Sequence, residues 1–128
     1  MPVTWHEGLI KKIEPIAPDV RHFQVEVPDL ESLDFQAGQF ITMDLPIGDK
    51  RLQRWRSYSI ASAPEGDNVL EFCIARSTEG AGTKYLFESV SEGSGLRFKG
   101  PEGGFVLPET IEKDLVFICT GTGIAPFR

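Results

Sequence analysis

Four consecutive residues, Arg56-Ser57-Tyr58-Ser59, carry the chemistry most readily recognised in this chain. An arginine presents a planar fork of donors that matches phosphate oxygens, and its charge is not lost at any ordinary pH. If the segment is a strand, Tyr58 points to the same side two positions later and offers a flat ring and a hydroxyl. Ser59 is small, and its hydroxyl can donate to or accept from a ring nitrogen. Such a set suits a ligand that is part anion and part flat heterocycle, as a flavin nucleotide is. A strand with a solvated arginine and a cross-strand tyrosine would explain the same four residues.

A second stretch, Glu79-Gly80-Ala81-Gly82-Thr83, stands just before a helical pattern. Glycines there let a backbone come close to a ligand, and the first amides of a helix point outward as anion donors. A pyrophosphate fits that description; so does a turn in which Thr83 merely caps the helix. The third stretch is Gly121-Thr122-Gly123-Ile124-Ala125-Pro126. It is similar to a dinucleotide-binding turn, with Pro126 where the third glycine of Gly-x-Gly-x-x-Gly would stand. The basic cluster Lys50, Arg51, Arg54, Arg56 supplies a second phosphate candidate in Arg54, while a solvated strand end accounts for Lys50 and Arg51. His6 and His22 have no partners at metal or triad spacing and read as surface residues. Cys73 and Cys119 fall in apolar runs and read as buried structural thiols.

The elements that must position these residues are mostly strands. Phe23, Val25 and Val27 alternate with His22, Gln24 and Glu26, the period of a half-buried strand. Leu9–Ile13, Gln39–Leu45, Tyr58–Ala61, Val69–Arg76 and Gly95–Lys99 predict further strands, separated by turns at Pro28-Asp29, Pro46–Asp49 and Pro64–Asp67. Short strands at this spacing predict a closed antiparallel barrel or a sandwich. Thr83–Val90 predicts a single short helix, with Thr83 as N-cap and Gly93 as stop. Leu115–Cys119 is continuously apolar, as a parallel strand buried on both faces would be. No partner for it exists in the chain, so a further domain is expected to follow.

At 128 residues the chain has room for one domain with a real core, and its 41% hydrophobic and 25% charged residues are ordinary for a globular protein. The net charge of −6 speaks against a general nucleic-acid or membrane-surface binder. The N-terminal Met-Pro-Val-Thr-Trp-His-Glu has no signal-peptide character, and no apolar run approaches a membrane span. Two separated cysteines fit a reduced, cytoplasmic protein, and they are too few to ligate an iron–sulfur cluster.

In order, Arg56–Ser59, Gly80–Thr83, Gly100-Pro101-Glu102-Gly103 and Gly121–Pro126 resemble the motifs of the ferredoxin–NADP reductase superfamily. The resemblance covers essentially the whole chain. It implies an all-β domain, a six-stranded antiparallel Greek-key barrel with one short helix over residues 1–110. Residues 111–128 would then be the opening strand and glycine turn of an incomplete α/β nucleotide-binding domain. It implies FAD as cofactor, with FMN as the alternative, and NAD(P)H as the substrate of a longer reductase. The further acceptor would be ferredoxin, another redox protein or free flavin. By the same resemblance Arg56 binds the flavin phosphates, within the Arg56–Ser59 motif that also includes Ser57. Tyr58 packs along the ribityl and ring, and Ser59 stands near the reactive ring nitrogen in the catalytic position. Cys73, Ile74 and Ala75 line the flavin through their backbone. Ala81, Gly82 and Thr83 hold the pyrophosphate, and Thr122 approaches the flavin and nicotinamide. The chain by itself is expected to be inactive in turnover. The competing readings are a non-catalytic flavin module or regulatory subunit of an electron-transfer complex, and a barrel that has lost its flavin.

Overall fold

The computed structural model describes residues 4–128, so residues 1–3 of the N-terminal reading above lie outside the described residues. Six strands form: β1 Trp5–Ala17, β2 Val20–Glu26, β3 Phe40–Asp44, β4 Trp55–Ser59, β5 Val69–Ala75 and β6 Gly95–Glu102. All pairings are antiparallel and the sheet order is β4-β3-β6-β1-β2-β5. Every strand predicted from alternation is present, with ends displaced by a few residues.

The strand β1 serves two neighbours in succession, pairing with β6 through Trp5–Leu9 and with β2 through Leu9–Ala17. A register shift at Ile10/Lys12 accompanies that handover, and a second, at Pro15/Ala17, comes just before the turn into β2. Bulges of this kind bend a strand and increase its twist, which is what curls a sheet toward a barrel. Inside lie Ile10, Phe23, Val25, Ile41, Met43, Leu70, Phe72, Ile74 and Phe98, all essentially inaccessible.

The predicted helix is α2, Ala81–Glu88, and it plugs one end of the barrel with Leu86, Phe87 and the following Val90. Arg21 of β2 ties it down, donating from Nη1 to the Phe87 carbonyl at 2.9 Å and lying over the Phe87 ring. Its N-cap is Gly80, not Thr83. A second helix, the single turn α1 at Arg51–Arg54, stands where the sequence reading had a solvated strand end, so the barrel carries more than one helix. Gln53 Oε1 closes that turn by accepting from the N–H groups of Asp49 and Lys50.

Residues 115–119 form no strand; Val116 and Ile118 are more than three-quarters exposed. An apolar run becomes a strand only when a neighbour completes its ladder. Gly121–Phe127 is a 3-10 helix that packs against β5 and buries Ala125, with Phe117 stacked on Phe127. Cys119 is accordingly exposed and Cys73 half-buried, neither a buried core thiol. His6 and His22 are not surface residues either. His6 sits against Phe98 within 3.1 Å of the Gly100 carbonyl, and His22 Nε2 is buried. Among the described residues no helix is long and apolar enough to cross a membrane, and no three His, Cys, Asp or Glu side chains gather as metal ligands.

Candidate functional site

The strands β4 and β5 are the two ends of the sheet order, and the site develops where they meet. Just beyond β4, the Ala61 N–H donates to the Glu71 carbonyl at 2.7 Å, and Ser62 Oγ accepts from the Glu71 N–H at 3.1 Å. From that closure the two strands run antiparallel, β4 backward from Ser59 to Trp55 and β5 forward from Cys73 to Ala75.

In an antiparallel sheet successive residues direct their backbone groups to alternate neighbours. The Ile60 N–H goes to Gln39, and the Arg54 carbonyl accepts from Leu45, so even-numbered residues of this segment face β3. The backbone groups of Ser57 and Ser59 therefore face β5. On β5 the Asn68 carbonyl and Arg76 N–H are used toward β2, which leaves Cys73 and Ala75 facing β4. Continuing the Ala61–Glu71 register sets Ser59 opposite Cys73, and Ser57 opposite Ala75. The result is a gap edged on both sides by backbone donors and acceptors without ladder partners, suited to a flat heterocycle with polar edges.

Side chains divide between the two faces of β4. Arg56 and Tyr58 pair with Met43 and Ile41 and share their inward face. Ser57 and Ser59 lie on the outward face, where the Ser57 hydroxyl is 2.8 Å from that of Thr42. Ser57 thus has its hydroxyl engaged and turns only backbone to the gap. Tyr58 is half-buried against the core, and burial pushes its phenol above the ordinary value, with Arg56 pulling the other way. It remains a neutral hydrogen-bond donor throughout the physiological range. Ile74 has its side chain in the core and, as an even-numbered residue of β5, turns its backbone to Arg21 of β2, so it offers the gap neither.

The anionic end is built by Arg56 and α2. A Cβ placed on Gly82 would stand 2.8 Å from Arg56 Cγ and 3.0 Å from its Nε, so the arginine lies in a cradle that exists because residue 82 has no side chain. The guanidinium is steadied by the Trp55 and Gln53 carbonyls, at 2.9 and 3.1 Å from Nη1. The first amides of a helix have no partner within it, so those of Ala81, Gly82 and Thr83 add donors next to this cation. Thr83 Oγ1 accepts from the Ser77 N–H at 2.9 Å and lies within 3.4 Å of the Gly80 carbonyl. Its hydroxyl folds the preceding loop onto the helix, leaving its amide for a ligand.

Arg54 is a correction. Its Nε donates to Asp44 Oδ1 at 2.7 Å and Nη1 to the Gly48 carbonyl at 3.3 Å, so it serves the α1 turn rather than a phosphate. Thr122 opens the 3-10 helix beside β5, half-buried. Two surface clefts occur elsewhere. One of about 300 Å³ borders the seam at Ser62 and Glu71, and one of about 510 Å³ lies between Phe105–Pro108 and the tail. Neither is lined by Arg56 or Tyr58. The sequence reading missed Ser62 and Glu71 as partners, since no spacing rule signals a hydrogen bond between the ends of a curled sheet.

Comparison with known proteins bears on what such an edge holds. A family model described as the oxidoreductase FAD-binding domain matches residues 7–107. Ferredoxin–NADP reductase B of Sorangium cellulosum is 34% identical over 122 residues, 95% of this chain and 49% of that protein. A ferredoxin–NADP⁺ reductase from Neisseria gonorrhoeae, solved with bound FAD and NADP, superposes with a TM-score of 0.79 at 30% identity, over 96% of this chain and 48% of that one. A cytochrome P450 reductase from Amycolatopsis gives a TM-score of 0.84 at 32% identity, over 98% and 37%. The chain therefore spans about half, or less, of the length of these similar proteins.

Proposed function

Because this chain belongs to the oxidoreductase FAD-binding domain family, of the ferredoxin–NADP reductase type, we propose that it is the flavin-holding part of an NAD(P)H-dependent reductase. That reductase would pass electrons between a nicotinamide nucleotide and ferredoxin, another redox protein or free flavin. The observation that carries the reading is Arg56 seated on Gly82, beside the free amides of α2 and at one end of two unpaired strand edges.

The residues fit the cofactor part by part. Arg56 and the amides of Ala81, Gly82 and Thr83 would hold the diphosphate, a charge-assisted arrangement stronger than neutral hydrogen bonds. The Tyr58 ring would flank the flat system, and the backbone of Ser57, Cys73 and Ala75 would meet its polar rim. Ser59 would stand near the ring, its hydroxyl able to exchange a hydrogen bond with a ring nitrogen, and Thr122 would approach from the β5 side. The flavin, when bound, supplies the hydride and electron chemistry, and the protein's part is binding, orientation and tuning. This division agrees with a site built from one arginine, hydroxyls and backbone amides.

Titrating FAD, FMN and riboflavin into the protein, followed by tryptophan fluorescence, tests the reading. FAD should bind tightest and riboflavin weakest, because only FAD fills the diphosphate seat. Equal affinity for riboflavin and FAD would remove the basis for that seat, and no binding of any flavin would overturn the function.

A further inference from the structure

The seam between β4 and β5 is closed by a small unit centred on Glu71. Its carbonyl accepts from the Ala61 N–H at 2.7 Å, and its N–H donates to Ser62 Oγ at 3.1 Å. Its side chain is held from the other direction, accepting from Gln24 Nε2 at 3.2 Å across β2. One backbone bond and one side-chain bond thus stand at the apex of the gap, two residues from Ser59 on one strand and from Cys73 on the other. A backbone N–H of β5 has been satisfied there by a hydroxyl, in place of the carbonyl that a continued ladder would bring.

That substitution has a geometric consequence. A regular ladder would bring the strands to the usual separation of about 4.8 Å all along their length, leaving no room for a ring. A side-chain acceptor ends the ladder while still fixing the Glu71 amide. The strands then diverge from a defined apex, and Ser59 and Cys73 form the first unpaired rung. Ala61 is fully buried and Ser62 half-buried, so the apex is anchored to the core and not a mobile loop end.

We infer that Ser62 is a positioning residue of the flavin site, its hydroxyl setting the width of the β4–β5 gap through the Glu71 amide. The inference rests on the proposed flavin-binding function and names a residue that does not itself touch the diphosphate seat. Loss of the hydroxyl frees the Glu71 N–H and lets the apex open or re-pair, so the rung at Ser59 and Cys73 no longer matches the ring edge.

The test compares Ser62→Ala and Ser62→Thr with the parent protein. Without flavin, hydrogen exchange at the Glu71 amide should quicken in Ser62→Ala and return toward the parent rate in Ser62→Thr, which keeps a hydroxyl. With FAD, Ser62→Ala should bind about 3- to 10-fold more weakly, the loss of one modest hydrogen bond. The visible absorption of the bound flavin should also change in band position or fine structure. Ser62→Thr should restore affinity and spectrum together. Unchanged Glu71 exchange in Ser62→Ala, or faster exchange with parental affinity and spectrum, overturns the positioning role alone. Failure of the parent protein to bind FAD overturns the proposed function and this role with it.

Discussion

Replacing Gly82 with alanine should separate ligand binding from stability, moving them in opposite directions. The added Cβ would stand 2.8 Å from Arg56 Cγ, 3.0 Å from Nε and 3.2 Å from Cδ. Carbon atoms pack comfortably at 3.5–4.0 Å, so the arginine stem must retreat by about 1 Å. The retreat is easy for the fold, because the atoms met belong to a flexible side chain and not to backbone. Gly82 lies in the first turn of α2, where alanine is favoured over glycine by up to about 1 kcal/mol. The melting temperature should therefore hold or rise by a few degrees. A displacement of about 1 Å, however, exceeds the tolerance of a charge-assisted hydrogen bond at 2.7–2.9 Å. Losing such a bond costs about 1.5–3 kcal/mol, so the FAD Kd should rise roughly 10- to 150-fold. Calorimetry and a flavin titration on the same preparations give both quantities. If Gly82→Ala binds FAD as the parent does, the Arg56 cradle is not the diphosphate seat. If it unfolds instead, the contact is one the backbone and not the side chain must absorb.

Arg56→Ala should weaken FAD binding by about 2–5 kcal/mol, whereas Arg54→Ala should lower thermal stability through the lost Asp44 contact and leave FAD affinity within a few-fold; similar flavin affinities for the two would reassign the site. The raised Tyr58 phenol means that the folded state holds that proton more tightly than the unfolded chain. Stability from this group is complete below its ordinary value and is lost as pH rises toward the folded one. Tyr58→Phe should accordingly flatten the decline of stability above about pH 10, read by denaturant titration; an unchanged decline would assign it to other groups. Deleting residues 111–128 should move the melting temperature by only a few degrees, since residues 111–120 are exposed and only Ala125 of the remainder is buried. Hydrogen exchange as slow at Val116–Ile118 as in the barrel strands of a monomer would show that this segment is part of the domain.

What the sequence determined by itself is the set of strands and the chemistry strung along them. Phe23 and Val25, or Leu70, Phe72 and Ile74, alternate because one face of each strand meets a core, and that pattern is local. Arg56, Tyr58 and the glycines before α2 stood out as candidates for the same reason, since residue type and short spacing already limit what they could bind. Only the tertiary structure separated the two neighbouring arginines. Arg54 and Arg56 stand two residues apart, yet Asp44 takes one and the cradle at Gly82 receives the other. It decided that Thr83 clamps a loop instead of capping the helix, because the cap depends on where the chain arrives from. It also left Leu115–Cys119 without strand structure, although the run is apolar enough, because a ladder needs a partner and local composition cannot supply one. The gap itself belongs to this class: its edges come from strands at opposite ends of the sheet order, and curvature accumulated over six strands brings them together.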